Sequence, residues 1–280
     1  MTQVADTRGL NAWRNATRGT VALVPTMGAL HDGHRRLIAH AHGEADAVAV
    51  SIFVNPLQFG PDEDFERYPR DLDSDLEICR ADGVDVVFAP ELHEMYPRDP
   101  EVTVSAGRMG AVFEGASRPG HFDGVLTVVA KLFQRVRPDV AIFGQKDAQQ
   151  LALVERLVAD LDLGVHIESV PIVRDADGLA LSSRNRYLSA AERESALALP
   201  RALEAAAHEA TTAASAQDAA RRTLADAELQ HPELSLDYAT LVDRATFTKC
   251  SPDFRGDAVL VLAARVGATR VIDNATLTFG

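Results

Sequence analysis

Short apolar runs rich in β-branched residues recur through the first two thirds of the chain and alternate with segments of helical periodicity. The runs are VALVP at 21–25, AVAVSIFV at 47–54, VDVVFAP at 84–90, DVAIF at 139–143 and VHIESVPIV at 165–173. Near-continuous apolar strands separated by helices are typical of a parallel sheet that is covered on both faces. The pattern therefore predicts a doubly wound, Rossmann-like α/β domain.

The sequence becomes rich in alanine after Arg186, and this change in composition predicts a second domain. In the first domain, helices are expected between Asp71 and a stop at Gly83, and at about 121–136 and 147–161. Beyond Arg186 come two Ala-rich stretches, each expected to form one helix, and then strand-like LDYATLV, AVLVLAARV and TRVIDNATL. We therefore expect a Rossmann-like domain at 1–174 and a smaller α+β domain at 175–280.

Composition and charge narrow the class of protein. The chain has 280 residues, of which 28 are Lys or Arg and 41 are Asp or Glu, so the formal charge is -13. Such an acidic surface lacks the broad basic footprint of a nucleic-acid binder. The two cysteines are far apart in sequence, the first residues form no apolar leader, and no segment is long and apolar enough to span a membrane. The sequence predicts a cytoplasmic protein without nucleic-acid or membrane partners.

The segment VPTMGALHDGHRRLIAHA carries the first candidate chemistry. A buried strand ends at Pro25, the chain turns through Thr26, Met27 and Gly28, and a helix is expected to begin near His31, with His34 one turn later. Helix N-termini attract phosphate because their first amides lack partners, and the small Gly33 would let a nucleotide approach the backbone. The order of strand, turn and His-x-Gly-His resembles the HIGH-type motif of the nucleotidyltransferase superfamily.

Three further segments carry candidate side chains, two of them at strand ends and the third where the two domains are expected to meet. SIFVNPLQF places Asn55 and Gln58 at a strand end, where their amides could hydrogen-bond to hydroxyl groups of a ligand. The alternative is an ordinary solvated loop. In DVAIFGQKDAQQ, Lys146 offers a cation for phosphate, while Asp147 either accepts from ribose or merely caps the next helix. In ALSSRNRY, the triplet Ser182 to Arg184 suits the outer phosphates of ATP, or alternatively forms a polar turn.

Together these segments resemble the pantothenate synthetase family over nearly the whole chain. PTMGALHDGH, FVNPLQF, FEGASRPGHFDGVLTVVAKLF, GQKDAQQ and LSSRN stand in the order and spacing of that family, and the resemblance continues through LDYATLVD and AARVGATRVIDN. One departure is Leu181, where methionine is expected, and this swap conserves volume.

The resemblance implies an ATP- and Mg²⁺-dependent ligase of pantothenate and coenzyme A biosynthesis, which joins pantoate to β-alanine through pantoyl adenylate. It implies a homodimer whose C-terminal domain closes over the site, with Mg²⁺ carried by the ATP phosphates and no dedicated metal site in the protein. The implied catalytic residues are His31, His34, Lys146, Ser182, Ser183 and Arg184. The implied ATP-binding residues are Pro25, Thr26, Met27, Gly28, His31, Gly33, His34, Gly144, Lys146, Asp147, Val173, Leu181, Ser182, Ser183 and Arg184. The implied pantoate-binding residues are Met27, Phe53, Gln58 and Gln150.

We also expect one segment to close over the active site, and two rival functions stay open. The stretch from Gln58 to Arg70, with Tyr68, is expected to close over the reactive adenylate, which water would otherwise hydrolyse. One rival is another small-molecule adenylyltransferase that leaves the adenylyl group on its product. The other is a non-catalytic nucleotide sensor that uses the same cradle for binding alone.

Overall fold

A computed structural model describes residues 1–4, 6–61, 63 and 65–280. The chain forms two structural units, of which the N-terminal unit comprises Met1–Gln145 and Gln149–Pro171. The C-terminal unit comprises Lys146–Ala148 and Ile172–Gly280. The sequence places a domain boundary between 174 and 175, and it does not anticipate that Lys146–Ala148 groups with the C-terminal unit.

The N-terminal unit contains a six-stranded sheet in which every pair of neighbouring strands is parallel. Its strands are β1 (Thr2–Val4), β2 (Val21–Thr26), β3 (Ala47–Ile52), β4 (Val86–Phe88), β5 (Val140–Gly144) and β6 (His166–Val170). Their spatial order is β1-β4-β3-β2-β5-β6. Strands β2 to β6 each coincide closely with a predicted apolar run, whereas the short β1 carries no such signal.

Seven α-helices of the described residues belong to this part of the chain. They are α1 (Thr7–Ala16), α2 (Asp32–Glu44), α3 (Leu72–Ala81), α4 (Leu92–Met95), α5 (Glu114–Ser117), α6 (His121–Val136) and α7 (Ala148–Asp160). Alternate strand residues enter two separate hydrophobic clusters: Leu23 and Ala49 pack with α6, while Val24 and Val50 pack with α2 and α3. Because both faces of the sheet are covered, the predicted doubly wound fold is confirmed.

The C-terminal unit packs three helices and an antiparallel sheet around an Ala- and Leu-rich core. The helices are α8 (Ala190–Ala196), α9 (Ala198–His208) and α10 (Ala213–Gln230), and the strands are β7 (Leu234–Asp243), β8 (Gly256–Val266) and β9 (Thr269–Phe279). The prediction of one helix in the first Ala-rich stretch is wrong, because the helix breaks at Leu197. Pro200 lies in the first turn of α9, where a missing N–H is tolerated.

No helix among the described residues combines the length and the low polarity that crossing a bilayer would require.

Candidate active site

Strand β2 lies where the order of the parallel strands reverses. Strands β3 and β4 follow it on one side, and β5 and β6 lie on the other. Ligands of doubly wound sheets bind outside the carboxyl ends of the strands at such a point. At the end of β2, the Thr26 hydroxyl donates to the Ser51 carbonyl at 2.7 Å and accepts from the Gly28 amide at 3.2 Å. The turn after β2 is therefore tied to the neighbouring strand at the expected ligand edge.

A buried carboxylate on α3 holds the same turn from the other side. The Ala29 and Leu30 amides donate to the Asp75 carboxylate at 2.9 and 2.7 Å, and Asp75 is only 3% exposed. Burial raises the pKa of Asp75, while the two amide bonds oppose that rise. The backbone at Gly28 has φ of 84°, and a Cβ there would lie 2.8 Å from an Asp75 oxygen. Asp75 thus fixes the entry into α2 from a distant segment.

The two histidines of the motif form a reciprocal cap at the N-terminus of α2. His31 is the N-cap residue, and its Nδ1 accepts from the Gly33 amide at 3.1 Å. The His34 Nδ1 accepts in turn from the His31 amide at 3.3 Å, and the ring centroids are 4.1 Å apart. An imidazole nitrogen that accepts carries no proton, so each neutral ring has its proton on Nε2. The cap therefore sets both rings as Nε2–H donors.

Electrostatics keep His34 neutral at physiological pH. Burial, followed by the proximity of His31, lowers the pKa of His34 to about 3. A phosphate at this site would meet the N–H donor of neutral His34 at the positive end of the α2 helix dipole. The arrangement can stabilise developing negative charge without a proton change on His34.

An amide network orients Gln58 in the turn after β3. Asn55 donates from Nδ2 to the Gln58 Oε1 at 3.2 Å and to the Gly124 carbonyl at 3.0 Å. Its Oδ1 accepts from the Leu57 amide at 3.3 Å and from the Tyr96 hydroxyl at 3.0 Å. All four hydrogen-bonding positions of Asn55 are thus used, which fixes its orientation. The side-chain oxygen Oε1 of Gln58 is consequently occupied by Asn55, and the side chain presents its Nε2 as a donor.

The donor end of Gln58 faces the turn that precedes the histidines. Its Nε2 lies 2.9 Å from the Met27 sulfur, and a thioether is a weak acceptor that a substrate oxygen could replace. Phe53, which was predicted to line the same pocket, is buried with its ring centroid 6.1 Å from that of Tyr96. Met27, Phe53 and Gln58 therefore belong to one neighbourhood within the N-terminal unit.

The backbone of Gln58 is held by His121, the first residue of α6, and by Arg118, which follows α5. His121 Nδ1 and an Arg118 nitrogen lie 2.7 and 3.2 Å from the Gln58 carbonyl oxygen. Arg118 also binds Glu63 through two nitrogens at 2.7 and 2.6 Å. Tyr68 of the predicted cover is buried, with its ring centroid 5.9 Å from that of Phe59. Asp62 and Asp64 lie outside the described residues, and closure of this stretch stays a prediction.

The two glutamines that open α7 have different surroundings. Gln149 is buried and donates to the carbonyls of Met109 and Val112 at 2.7 and 2.8 Å, and it accepts from the Glu114 amide at 3.1 Å. Gln149 therefore anchors the segment before α6. Gln150 is half-buried and is the one predicted to bind pantoate.

In the C-terminal unit, the predicted serine-arginine triplet opens a short 3-10 helix, Ser183–Tyr187. The Ser182 hydroxyl caps this helix by accepting from the Arg184 amide at 3.2 Å. The Leu181 amide donates to the Val173 carbonyl at 2.9 Å, so these two predicted ATP-binding residues are neighbours. Asp147 is exposed, and Lys146 is half-buried with its carbonyl bound by Asn274.

A family model described as pantoate-beta-alanine ligase matches residues 1–276. The chain belongs to this family. A pantothenate synthetase from Thermobifida fusca (strain YX) is 61% identical over 267 residues, which cover 93% of this chain and 90% of the relative. The predicted family resemblance is therefore confirmed.

Solved pantoate-β-alanine ligases also share the fold. The pantothenate synthetase of Thermus thermophilus has a TM-score of 0.91 and 45% identity, covering 98% of this chain and 99% of that one. The ligase of Francisella tularensis, solved in complex with beta-gamma ATP and β-alanine, has a TM-score of 0.80 and 33% identity, covering 98% and 97%.

The structure distributes the predicted site residues of this family member over both units. The N-terminal unit contains Pro25, Thr26, Met27, Gly28, His31, Gly33, His34, Phe53, Gln58, Gly144 and Gln150, and the C-terminal unit contains Lys146, Asp147, Val173, Leu181, Ser182, Ser183 and Arg184. Sequence reasoning missed Asp75 and Tyr96. Spacing could have signalled Asp75, because it lies four residues before Cys79 on the buried side of α3. Within the described residues, no group of three His, Cys, Asp or Glu side chains could hold a metal.

Proposed function

We propose that this protein condenses pantoate with β-alanine in an ATP-dependent reaction that releases AMP and pyrophosphate. The observation that carries the proposal is the reciprocal cap of His31 and His34 at the N-terminus of α2, with the Gln58 amide facing the same turn. Membership of the pantoate-β-alanine ligase family supports this reaction, and a family member binds beta-gamma ATP and β-alanine.

The first step forms pantoyl adenylate. A pantoate carboxylate oxygen attacks the α-phosphorus of ATP, an oxygen–phosphorus bond forms, and the bond to the pyrophosphate oxygen breaks. The carboxylate is already ionised at neutral pH, so this step requires no general base. Its acceleration therefore depends on alignment and on donors that stabilise the transferring phosphate.

The predicted site residues have different roles in this proposal. The Nε2–H groups of His31 and His34 donate to phosphate oxygens, and Lys146 and Arg184 supply positive charge. Ser182 and Ser183 contact the outer phosphates, and Asp147 accepts from ribose. Backbone near Gly144, Lys146 and Val173 holds adenine. Met27 and Phe53 pack against the pantoate methyl groups, and Gln58 and Gln150 bind its polar groups.

Mg²⁺ enters this scheme on ATP. The proposed phosphate-binding side chains are N–H and O–H donors or cations, which suit phosphate oxygens rather than a bare metal ion. Mg²⁺ keeps several waters and is commonly held through substrate phosphates, where it would neutralise charge on the leaving pyrophosphate.

In the second step the β-alanine amine attacks the acyl carbon of the adenylate. A nitrogen–carbon bond forms, the bond to the AMP oxygen breaks, and one proton leaves the amine. Since water competes with the amine for the acyl adenylate, we extend the proposal to closure of the stretch from Gln58 to Arg70 over the intermediate. Homodimer formation and a cytoplasmic location stay predictions.

The decisive experiment supplies ATP, Mg²⁺ and pantoate without β-alanine. We expect pantoate-dependent exchange of pyrophosphate into ATP and an enzyme-bound acyl adenylate, with AMP released only after β-alanine is added. An adenylyltransferase would leave the adenylyl group on its product, and a sensor would bind ATP without exchange. Either result would remove the proposed function.

Two alanine variants test the proposed roles. His34→Ala and Lys146→Ala should each reduce pyrophosphate exchange by about 100-fold, as expected when a transition-state donor is lost. Thermal unfolding of both variants controls for loss of folded protein. Near-normal exchange in both variants would contradict the roles assigned to these side chains.

A further inference from the structure

Two neighbouring polar residues of β9, Asp273 and Asn274, are both buried, although buried and more exposed positions alternate along most of the strand. Val271, Leu277 and Phe279 face the core of the C-terminal unit, and Asp273 occupies the same face with 2% exposure. Asn274 lies on the opposite face, which is exposed at positions 276 and 278, yet Asn274 is only 6% exposed. A buried polar side chain on an otherwise exposed face indicates a specific contact.

The acidic neighbour is neutralised by a two-point ion pair. Arg174 binds both oxygens of Asp273, at 2.6 and 2.9 Å, and also donates to the Gly178 carbonyl at 3.0 Å. The amide of Asn274 donates to Asp273 at 2.8 Å. A fork of this kind fixes the geometry of both partners, so the backbone at Asn274 has a defined position.

Asn274 contacts a residue 128 positions away in the sequence. Its Nδ2 donates to the Lys146 carbonyl at 2.8 Å, and Lys146–Ala148 belongs to the same C-terminal unit. The contact fixes the backbone of Lys146 within a single 3-10 turn, Gln145–Asp147. The contact uses the backbone carbonyl of Lys146 and therefore does not occupy its ammonium group.

We infer that Asn274 is a positioning residue for Lys146, and that the pair formed by Asp273 and Arg174 holds Asn274 in place for this purpose. The inference rests on the proposed role of Lys146 as a phosphate-binding cation. A lysine has many rotamers, so fixing its backbone confines the ammonium group to a smaller region and reduces the entropy lost when ATP binds. Asn274 therefore acts on nucleotide affinity through Lys146.

Two substitutions at Asn274 test the contact, with pyrophosphate exchange as the assay. Asn274→Ala removes the donor to the Lys146 carbonyl and should lower kcat/KM for ATP by about tenfold. Asn274→Asp keeps the shape but places a carboxylate oxygen against the Lys146 carbonyl, so its loss should be larger. The KM for pantoate should stay unchanged in both variants.

Gln217→Ala is the matched control in the same unit. Gln217 Oε1 accepts from the Leu241 amide at 2.9 Å, so this variant also loses one bond between a side-chain amide and the backbone. It should cost comparable stability in urea unfolding but leave the KM for ATP unchanged. An equal rise in KM for ATP in the Gln217 and Asn274 variants would overturn the inference, because a general loss of stability would then explain both.

A double-mutant cycle separates positioning from an independent structural effect. If Asn274 acts through Lys146, Asn274→Ala should reduce kcat/KM for ATP by less than twofold in the Lys146→Ala background, against about tenfold in the wild type. Full tenfold losses in both backgrounds would overturn the inference while leaving the role of Lys146 intact. If Lys146→Ala alone has no effect, the proposed phosphate role fails, and the inference fails with it.

Discussion

Replacing Gly124 by alanine would drive α6 against the turn that carries Gln58. A Cβ at position 124 would lie 2.1 Å from the Leu57 carbonyl oxygen and 2.7 Å from the Gln58 amide nitrogen. Real Cβ contacts essentially never fall under 3.0 Å, so the two backbones must separate by about 1 Å. Helix α6 cannot easily move, because Val125 and Leu126, the next residues along it, are both buried. The turn is therefore the part that shifts.

This displacement should reduce both the free energy of unfolding and the activity. Overpacking between two backbones should lower the free energy of unfolding by about 3 kcal/mol. The shift would also break the 3.0 Å bond from Asn55 to the Gly124 carbonyl, which holds Gln58 through Asn55. Since a misplacement of about 1 Å can cost about 100-fold in rate, kcat/KM for pantoate should fall by that order. Urea unfolding measures the first effect, and pantoate-dependent pyrophosphate exchange measures the second.

Gly43→Ala provides the matched control, because Gly43 also lies in a helix but a Cβ at this position would have no described atom within 4 Å apart from the neighbouring backbone of its own helix. This variant should gain about 0.5–1 kcal/mol from helix propensity and keep wild-type exchange. If Gly124→Ala unfolds at the wild-type urea concentration and exchanges at the wild-type rate, the close approach does not constrain the turn, and the reasoning fails.

Three further predictions address the same neighbourhood. Asp75→Ala should lower the free energy of unfolding by about 2–4 kcal/mol, because two turn amides lose their charged acceptor; an unchanged urea midpoint would contradict this. His34 should stay neutral down to about pH 3, whereas the unfolded chain binds a proton below about pH 6.5. The wild type should therefore lose stability relative to His34→Asn as pH falls from 6.5 towards 3, by at most about 1.4 kcal/mol per pH unit in urea titrations, and parallel pH curves would refute the low pKa. Tyr96→Phe removes one donor to Asn55 and should raise the KM for pantoate about threefold to tenfold, with the KM for ATP as the internal control.

Local features of the site could be predicted because the information is contiguous in sequence. The apolar run before Thr26 predicts β2, and the turn at Gly28 followed by His31 predicts the start of α2. Helix α6 likewise occupies the predicted range 121–136. In each case one uninterrupted stretch contains both the hydrophobic period and its boundary.

Contacts between distant segments could not be predicted in the same way. The carboxylate that caps the turn at Ala29 comes from Asp75, 46 residues later, and the space that excludes a side chain at Gly124 is occupied by Leu57. Neither contact has a periodic signal that names its partner, because a single hydrogen bond or a single close approach depends on the packing of two elements. The helix break at Leu197 was missed for a related reason, since Ala-rich composition favours helix on both sides of it.

The hydrogen-bond network around Gln58 makes its side-chain amide a donor in the proposed pantoate site. Two backbone groups, the Leu57 amide and the Gly124 carbonyl, set the orientation of Asn55. Asn55 in turn donates to the side-chain Oε1 of Gln58. The side chain of Gln58 is therefore an outward donor, like the Nε2–H groups of the capped histidines. Neutral N–H donors such as the Gln58 amide favour the oxygens of a carboxylate without protonating the attacking carboxylate. Backbone groups therefore set the orientation in which Gln58 and the two histidines present their N–H donors.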